Sequence, residues 1–260
     1  MESLQLWQVI LLSLWAFLCI NELLFTYLGL WQRPLIAGVG AGIILGDLTT
    51  GIVIGATLEM VSLGVHSYGG AVVPDYTTGS ILGVVFGYLT NDISLGTTIG
   101  IPIALLGAYL DVMARMSTAI CAHKGDKHAA SGNIAGMWRW HLFGSVPWGL
   151  SRAIPVFIGG YFGDTVARQF IEHVPQWLMN GLTAVGHAMP ALGIAILLNY
   201  LPFNKKAYFA VLGFVLVAYL KLPMIAVGIL AAIVAIVYTQ LYMRESVNSK
   251  GSEEQIGGEF

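Results

Sequence analysis

The chain has 260 residues, of which 57% are hydrophobic and only 10% charged, with a formal net charge of −2. Soluble domains carry about 25% charged residues, so this chain cannot coat a water-facing surface and needs lipid as its main solvent. The near-neutral charge excludes a basic field for nucleic acid, and two distant cysteines, Cys19 and Cys121, make neither a metal site nor a disulfide framework.

A spanning helix needs about 20 mainly apolar residues, and residues 4–24 supply the first. Glu2 precedes this run, no Lys or Arg does, and no small-x-small site follows, so it reads as a retained helix rather than a cleaved signal. Residues 34–65 are apolar, full of glycine and too long for one straight crossing. They predict either a tilted helix or two shorter segments meeting inside the protein. Residues 71–89, 94–122, 142–162, 181–201 and 224–242 are further apolar stretches, and the shorter run 207–220 reads as a half-crossing or re-entrant segment.

The polar connection 121–141 is the longest, with Lys124, Lys127 and Arg139, and Asn204-Lys205-Lys206 is a second basic turn. The positive-inside rule puts both on the cytoplasmic side. These runs predict an all-α polytopic membrane protein with broken or re-entrant helices. Residues 1–245 are expected to form one transmembrane domain and 246–260 a disordered terminal tail. No phosphate-binding G-x-x-x-x-G-K-[ST] loop and no dinucleotide fingerprint is present. Energy for transport therefore has to come from an ion gradient or from another polypeptide.

The chemistry concentrates between Pro34 and Ser80. Gly38, Gly42 and Gly46 recur every four residues, and so do Gly51, Gly55 and Glu59. Positions four apart share one helix face, so the second series ends a smooth stripe with a carboxylate. An ionisable group in the bilayer core faces protein or water by default. The alternative for Glu59 is a buried acid that caps a neighbouring helix end. Asp47, beside Thr49 and Thr50, suits a helix cap as well as a site. His66-Ser67-Tyr68-Gly69-Gly70 and Pro74-Asp75-Tyr76 follow, poor helix formers between two apolar runs. Such breaks at membrane depth line protein-enclosed or watery cavities. Carboxylates, an imidazole, hydroxyls and free backbone groups suit a polyhydroxylated solute.

The run GIILGDLTTGIVIGATLEMVSLG, followed by a small-residue turn and Pro74-Asp75, resembles the IIC subunit of the mannose family of the sugar phosphotransferase system. The likeness extends from Arg33-Pro34 through VPQWLMNGLTAVGHAMPALG around Asn180-Gly181. It implies a permease of the bacterial cytoplasmic membrane that needs no cofactor of its own. It implies a IID membrane partner, a higher oligomer of the pair, and soluble IIA and IIB proteins that relay phosphoryl groups through histidines. The sugar, a hexose or amino sugar of mannose or N-acetylgalactosamine type, is bound in the membrane, carried inward and phosphorylated on release. Glu59 and Asp75 are then the expected polar contacts to the sugar. His66, Ser67, Tyr68, Gly69 and Gly70 line the turn, where His66 and Tyr68 are positioned to tune selectivity.

Other groups have plainer readings. Trp138, Arg139, Trp140 and His141 suit an interfacial anchor better than a docking patch for a phosphoryl donor. Asp111 and Arg115 are four apart and can pair on one helix face. Arg152 stands inside an apolar run and must find a partner or reach the interface. Asn180, His187 and Asn199 are weaker cavity residues. The competing function is an ion-coupled secondary transporter, which internal carboxylates serve equally well.

Overall fold

The computed structural model describes residues 4–26, 28–63, 73–173, 176–200, 203–223 and 225–240. Every regular element among them is a helix: α1 (Leu6–Phe25), α2 (Pro34–Leu45), α3 (Leu48–Ser62), α4 (Tyr76–Thr90), α5 (Ile93–Ala130), α6 (Ile134–His173), α7 (Gln176–Tyr200), α8 (Phe203–Ala218) and α9 (Ile225–Gln240). The chain divides into two compact units, Met1–Tyr200 and Leu201–Phe260. The second holds α8 and α9; the expected tail 246–260 lies outside the described residues.

The long apolar segment 34–65 is two helices, not one. Gly46 takes a left-handed conformation (φ +81°) and ends α2, and Asp47 then caps α3 by accepting from the Thr50 N–H at 3.1 Å. A left-handed residue without strain calls for glycine, and the next residue's carboxylate satisfies an orphan donor of the following helix. The same device recurs between α4 and α5. There Asn91 (φ 53°) ends α4, and Asp92 caps α5 through the Ser94 and Leu95 N–H groups.

The two hairpins close because glycine faces glycine. A Cβ on Gly51 would lie 2.7 Å from the Gly38 carbonyl oxygen and 2.9 Å from the Gly42 Cα. On the second hairpin a Cβ on Gly79 would lie 2.6 Å from the Gly100 carbonyl oxygen. Backbones at that separation gain dispersion contacts over many atoms, the main attraction available where lipid removes the hydrophobic drive. Leu12, Ile54, Leu58, Ile81, Val84 and Val156 fill the core between α1, α3, α4 and α6 with no more than 1% exposure.

The polar connection 121–141 departs from its expected loop form. α5 runs on to Ala130, and α6 begins at Ile134, leaving only Ser131 to Asn133 as the turn. Ala, Lys and Met are good helix formers whatever their polarity, and the break falls at Gly132 in a left-handed conformation (φ +71°). α5 is the one described helix long and apolar enough to cross a membrane by itself. Its first part, residues 93–110, carries no charge and is about 27 Å long at 1.5 Å per residue, close to the bilayer's hydrocarbon thickness of about 30 Å.

Candidate functional site

Three helix ends meet where the chain leaves α3 and enters α4. The start of α2 is held from two sides. Ser80 on α4 donates to the Pro34 carbonyl at 2.8 Å, and the Thr77 hydroxyl donates to the Gln32 carbonyl. From α3, Glu59 accepts the Leu35 N–H at 3.4 Å, and its other oxygen lies 3.7 Å from Arg33 Nη1. The first N–H groups of a helix have no partner within it. A carboxylate there offsets both the free donors and the positive end of the helix dipole.

Asp75 sits at the matching position on α4. One carboxylate oxygen accepts the Thr78 N–H at 3.2 Å, and the other accepts the Thr78 hydroxyl at 2.7 Å and Arg152 Nε at 3.0 Å. Its own N–H donates to the Ala104 carbonyl of α5 at 2.8 Å. The two acids, equal as sequence candidates, therefore differ. Asp75 has 7% of its side chain exposed and three donors committed to it, whereas Glu59 has 21% exposed and, among the described residues, only long contacts. Glu59 keeps acceptor capacity for a ligand; Asp75 is spent on holding α4 and α6.

Arg152 is the partner that the apolar run demanded. Its guanidinium bridges Asp75 of α4 and Asp111 of α5, the second at 2.5 Å, and Asp111 also takes Arg115 Nε at 2.6 Å. The Trp148 ring lies beneath both arginines, 4.5 Å from Arg152 Cζ and 5.5 Å from Arg115 Cζ. Two acids around one buried cation would leave an excess negative charge, and the half-exposed Arg115 supplies the balancing positive one. The i,i+4 spacing of Asp111 and Arg115 gave their pairing away; the contact to Asp75, 77 positions from Arg152, had no local signal.

A second polar group was missed. Asn21 and Glu22 end α1 with 1% and 4% exposure. Glu22 accepts the Thr26 hydroxyl and, at 3.3 Å, the Trp31 N–H, which ties the end of α1 to the approach to α2. Asn21 donates to the Phe17 carbonyl at 2.9 Å. The signal available was an adjacent amide and acid inside an apolar run, which the strength of that run concealed.

Asp47 stands at the far end of α3, where its carboxylate accepts from the Thr50 N–H and hydroxyl. Twelve residues separate it from Glu59, about 18 Å along a helix, so the two do not share a site. His66, Ser67, Tyr68, Gly69 and Gly70 lie outside the described residues; the ends of that segment, Leu63 and Val73, border the junction of α2, α3 and α4. Among the described residues no three His, Cys, Asp or Glu side chains come together to hold a metal ion.

Comparison with known proteins fits this arrangement. A family model described as the sorbose-specific IIC component of the phosphotransferase system matches residues 6–237. The mannose-specific EIIC component of Escherichia coli K12 is 33% identical over 215 residues, covering 81% of this chain and 80% of that one. The sorbose-specific EIIC component of Lacticaseibacillus casei is 33% identical over 229 residues, covering 87% and 83%. The cryo-EM structure of mannose transporter ManYZ in complex with microcin E492 aligns over 92% of this chain and 97% of the matched chain, with a TM-score of 0.59 and 30% identity.

Proposed function

Because the chain belongs to the family of sorbose-specific IIC components of the phosphotransferase system, a family of sugar permeases, we propose that it binds a hexose at the junction of α2, α3 and α4. It carries that hexose inward across the bacterial cytoplasmic membrane. Relatives named for mannose and for sorbose support a six-carbon sugar or an amino derivative of one. Glu59 is the recognition residue. Its incompletely engaged carboxylate can accept hydrogen bonds from two neighbouring sugar hydroxyls, each of the charge-assisted kind. Asp75, through Arg152, Thr78 and Ala104, holds the opposite wall. His66 and Tyr68, which fall between the two acids in sequence, set which ring substituents fit.

The observation that carries this reading is the contrast between the two acids among the described residues: a heavily engaged one and a more open one at the same junction. Discontinuous helices whose ends point into a cavity are a common way to build a midplane transport site. Phosphoryl chemistry belongs to soluble IIA and IIB partners, and a IID membrane subunit completes the permease; the two-part transporter ManYZ supports that pairing. Substituting Glu59→Gln tests the assignment by titration of the purified permease with mannose, sorbose and N-acetylgalactosamine. Binding falls by at least about tenfold, one charge-assisted hydrogen bond's worth, while the helical circular dichroism stays as in the wild type. Wild-type affinity in that variant makes Glu59 a helix cap and nothing more.

A further inference from the structure

Beyond the sugar site, α5 and α6 form a cleft of about 430 Å³ between Arg115, Cys121, Trp140, His141 and Trp148. We propose that this cleft binds the headgroup and upper acyl chain of one anionic glycerophospholipid.

The charge argument comes first. Between residues 111 and 152 the chain carries five Lys or Arg and two acids, Asp111 and Asp126. Asp111, with Asp75, balances Arg115 and Arg152, and Lys124, Lys127 and Arg139 against Asp126 leave a positive surplus along the rest of the hairpin. Two cations are already held over the aromatic walls: Lys124 Nζ stands 4.2 Å above the Trp140 ring, and Arg115 Cζ 5.5 Å from that of Trp148. Stacking fixes each cation at low entropic cost. Arg115 uses Nε for Asp111. Its two terminal nitrogens make no hydrogen bond among the described residues, which leaves the forked face that takes a phosphate oxygen pair.

Depth and surroundings select a lipid over a soluble anion. The cleft begins one turn beyond the charge-free stretch 93–110, whose length of about 27 Å spans the hydrocarbon core. Arg115 therefore reaches headgroup level. Trp140 and Trp148 line the cleft, as tryptophans do at membrane interfaces. On the side of the cleft that faces the charge-free stretch the helices are apolar and outward-facing, with Met113 65%, Leu150 42% and Ile154 52% exposed. A free phosphate or an acidic peptide gains nothing from such flanks, whereas an acyl chain covers them. Basic pockets between membrane helices hold anionic headgroups by this combination.

The experiment is native mass spectrometry of the full chain released from nanodiscs. The discs contain equal amounts of phosphatidylglycerol and phosphatidylcholine, with and without added inorganic phosphate. The expected result is a single retained phosphatidylglycerol per chain, undiminished by phosphate. In the double variant Lys124→Gln/Trp140→Ala it is reduced by about tenfold, and in Lys127→Gln, off the cleft wall, it is unchanged. Equal retention of the two lipids, displacement by inorganic phosphate, or undiminished retention in the double variant overturns the assignment. None of these outcomes depends on the sugar reading.

Discussion

A single arginine does more to define the inner architecture than any of the acids around it. Arg152 has 4% of its side chain exposed and contacts carboxylates from two other helices. Taking one partner from a buried ion pair leaves an uncompensated charge, at a cost of about 3–5 kcal/mol. Arg152→Met is therefore expected to lower the unfolding free energy of the detergent-solubilised chain by that amount, measured by chemical denaturation. Arg33→Met removes a pair that is 3.7 Å apart with the arginine 56% exposed, worth under about 1 kcal/mol. Equal effects from the two substitutions contradict the assignment of Arg152 as the structural centre. The residue scale also separates Glu59 from Asp75. Asp75→Ala loses an N-cap, about 1 kcal/mol, in addition to its ion pair, so it is expected to impair folding and sugar binding together. Glu59→Gln is expected to impair binding alone.

Among elements, the two glycine-faced hairpins are the unit of construction. Gly51→Leu places a side chain where the nearest atoms are backbone of α2, at 2.7 and 2.9 Å. It is expected to separate α2 from α3, with a loss of folded protein by size-exclusion chromatography. Gly181→Ala, in α7 with no atom within 4 Å of the added methyl, is expected to leave the melting temperature unchanged or raise it, since alanine stabilises a helix over glycine by about 1 kcal/mol. The glycine stripes were legible because four-residue spacing is a property of the sequence alone, and the Gly46-Asp47 break follows from backbone chemistry at those two residues. The extension of α5 and α6 through 121–141 was not legible from polarity, because a helix that leaves the apolar layer keeps its hydrogen bonds while its side chains change. The Asp75–Arg152–Asp111 bridge was hidden for another reason: which helices neighbour each other is set by tertiary packing. Glu59 was legible as an acid at a glycine stripe's end, but its contact with the Leu35 N–H at the start of α2 required coordinates.

For the molecule as a whole, transport has two possible engines: an ion gradient, which buried carboxylates can serve, or phosphorylation of the cargo by partner proteins. Membership in the sorbose-specific IIC family favours the second, in which this chain recognises sugar and moves it without handling phosphate. The most direct measurement is uptake of labelled mannose or sorbose into membrane vesicles. The vesicles contain this chain, its membrane partner and the soluble phosphoryl carriers, with phosphoenolpyruvate supplied inside. The account predicts that label accumulates as sugar phosphate, requires phosphoenolpyruvate and is unaffected by an ionophore. Accumulation of unmodified sugar that collapses with the ion gradient would contradict it.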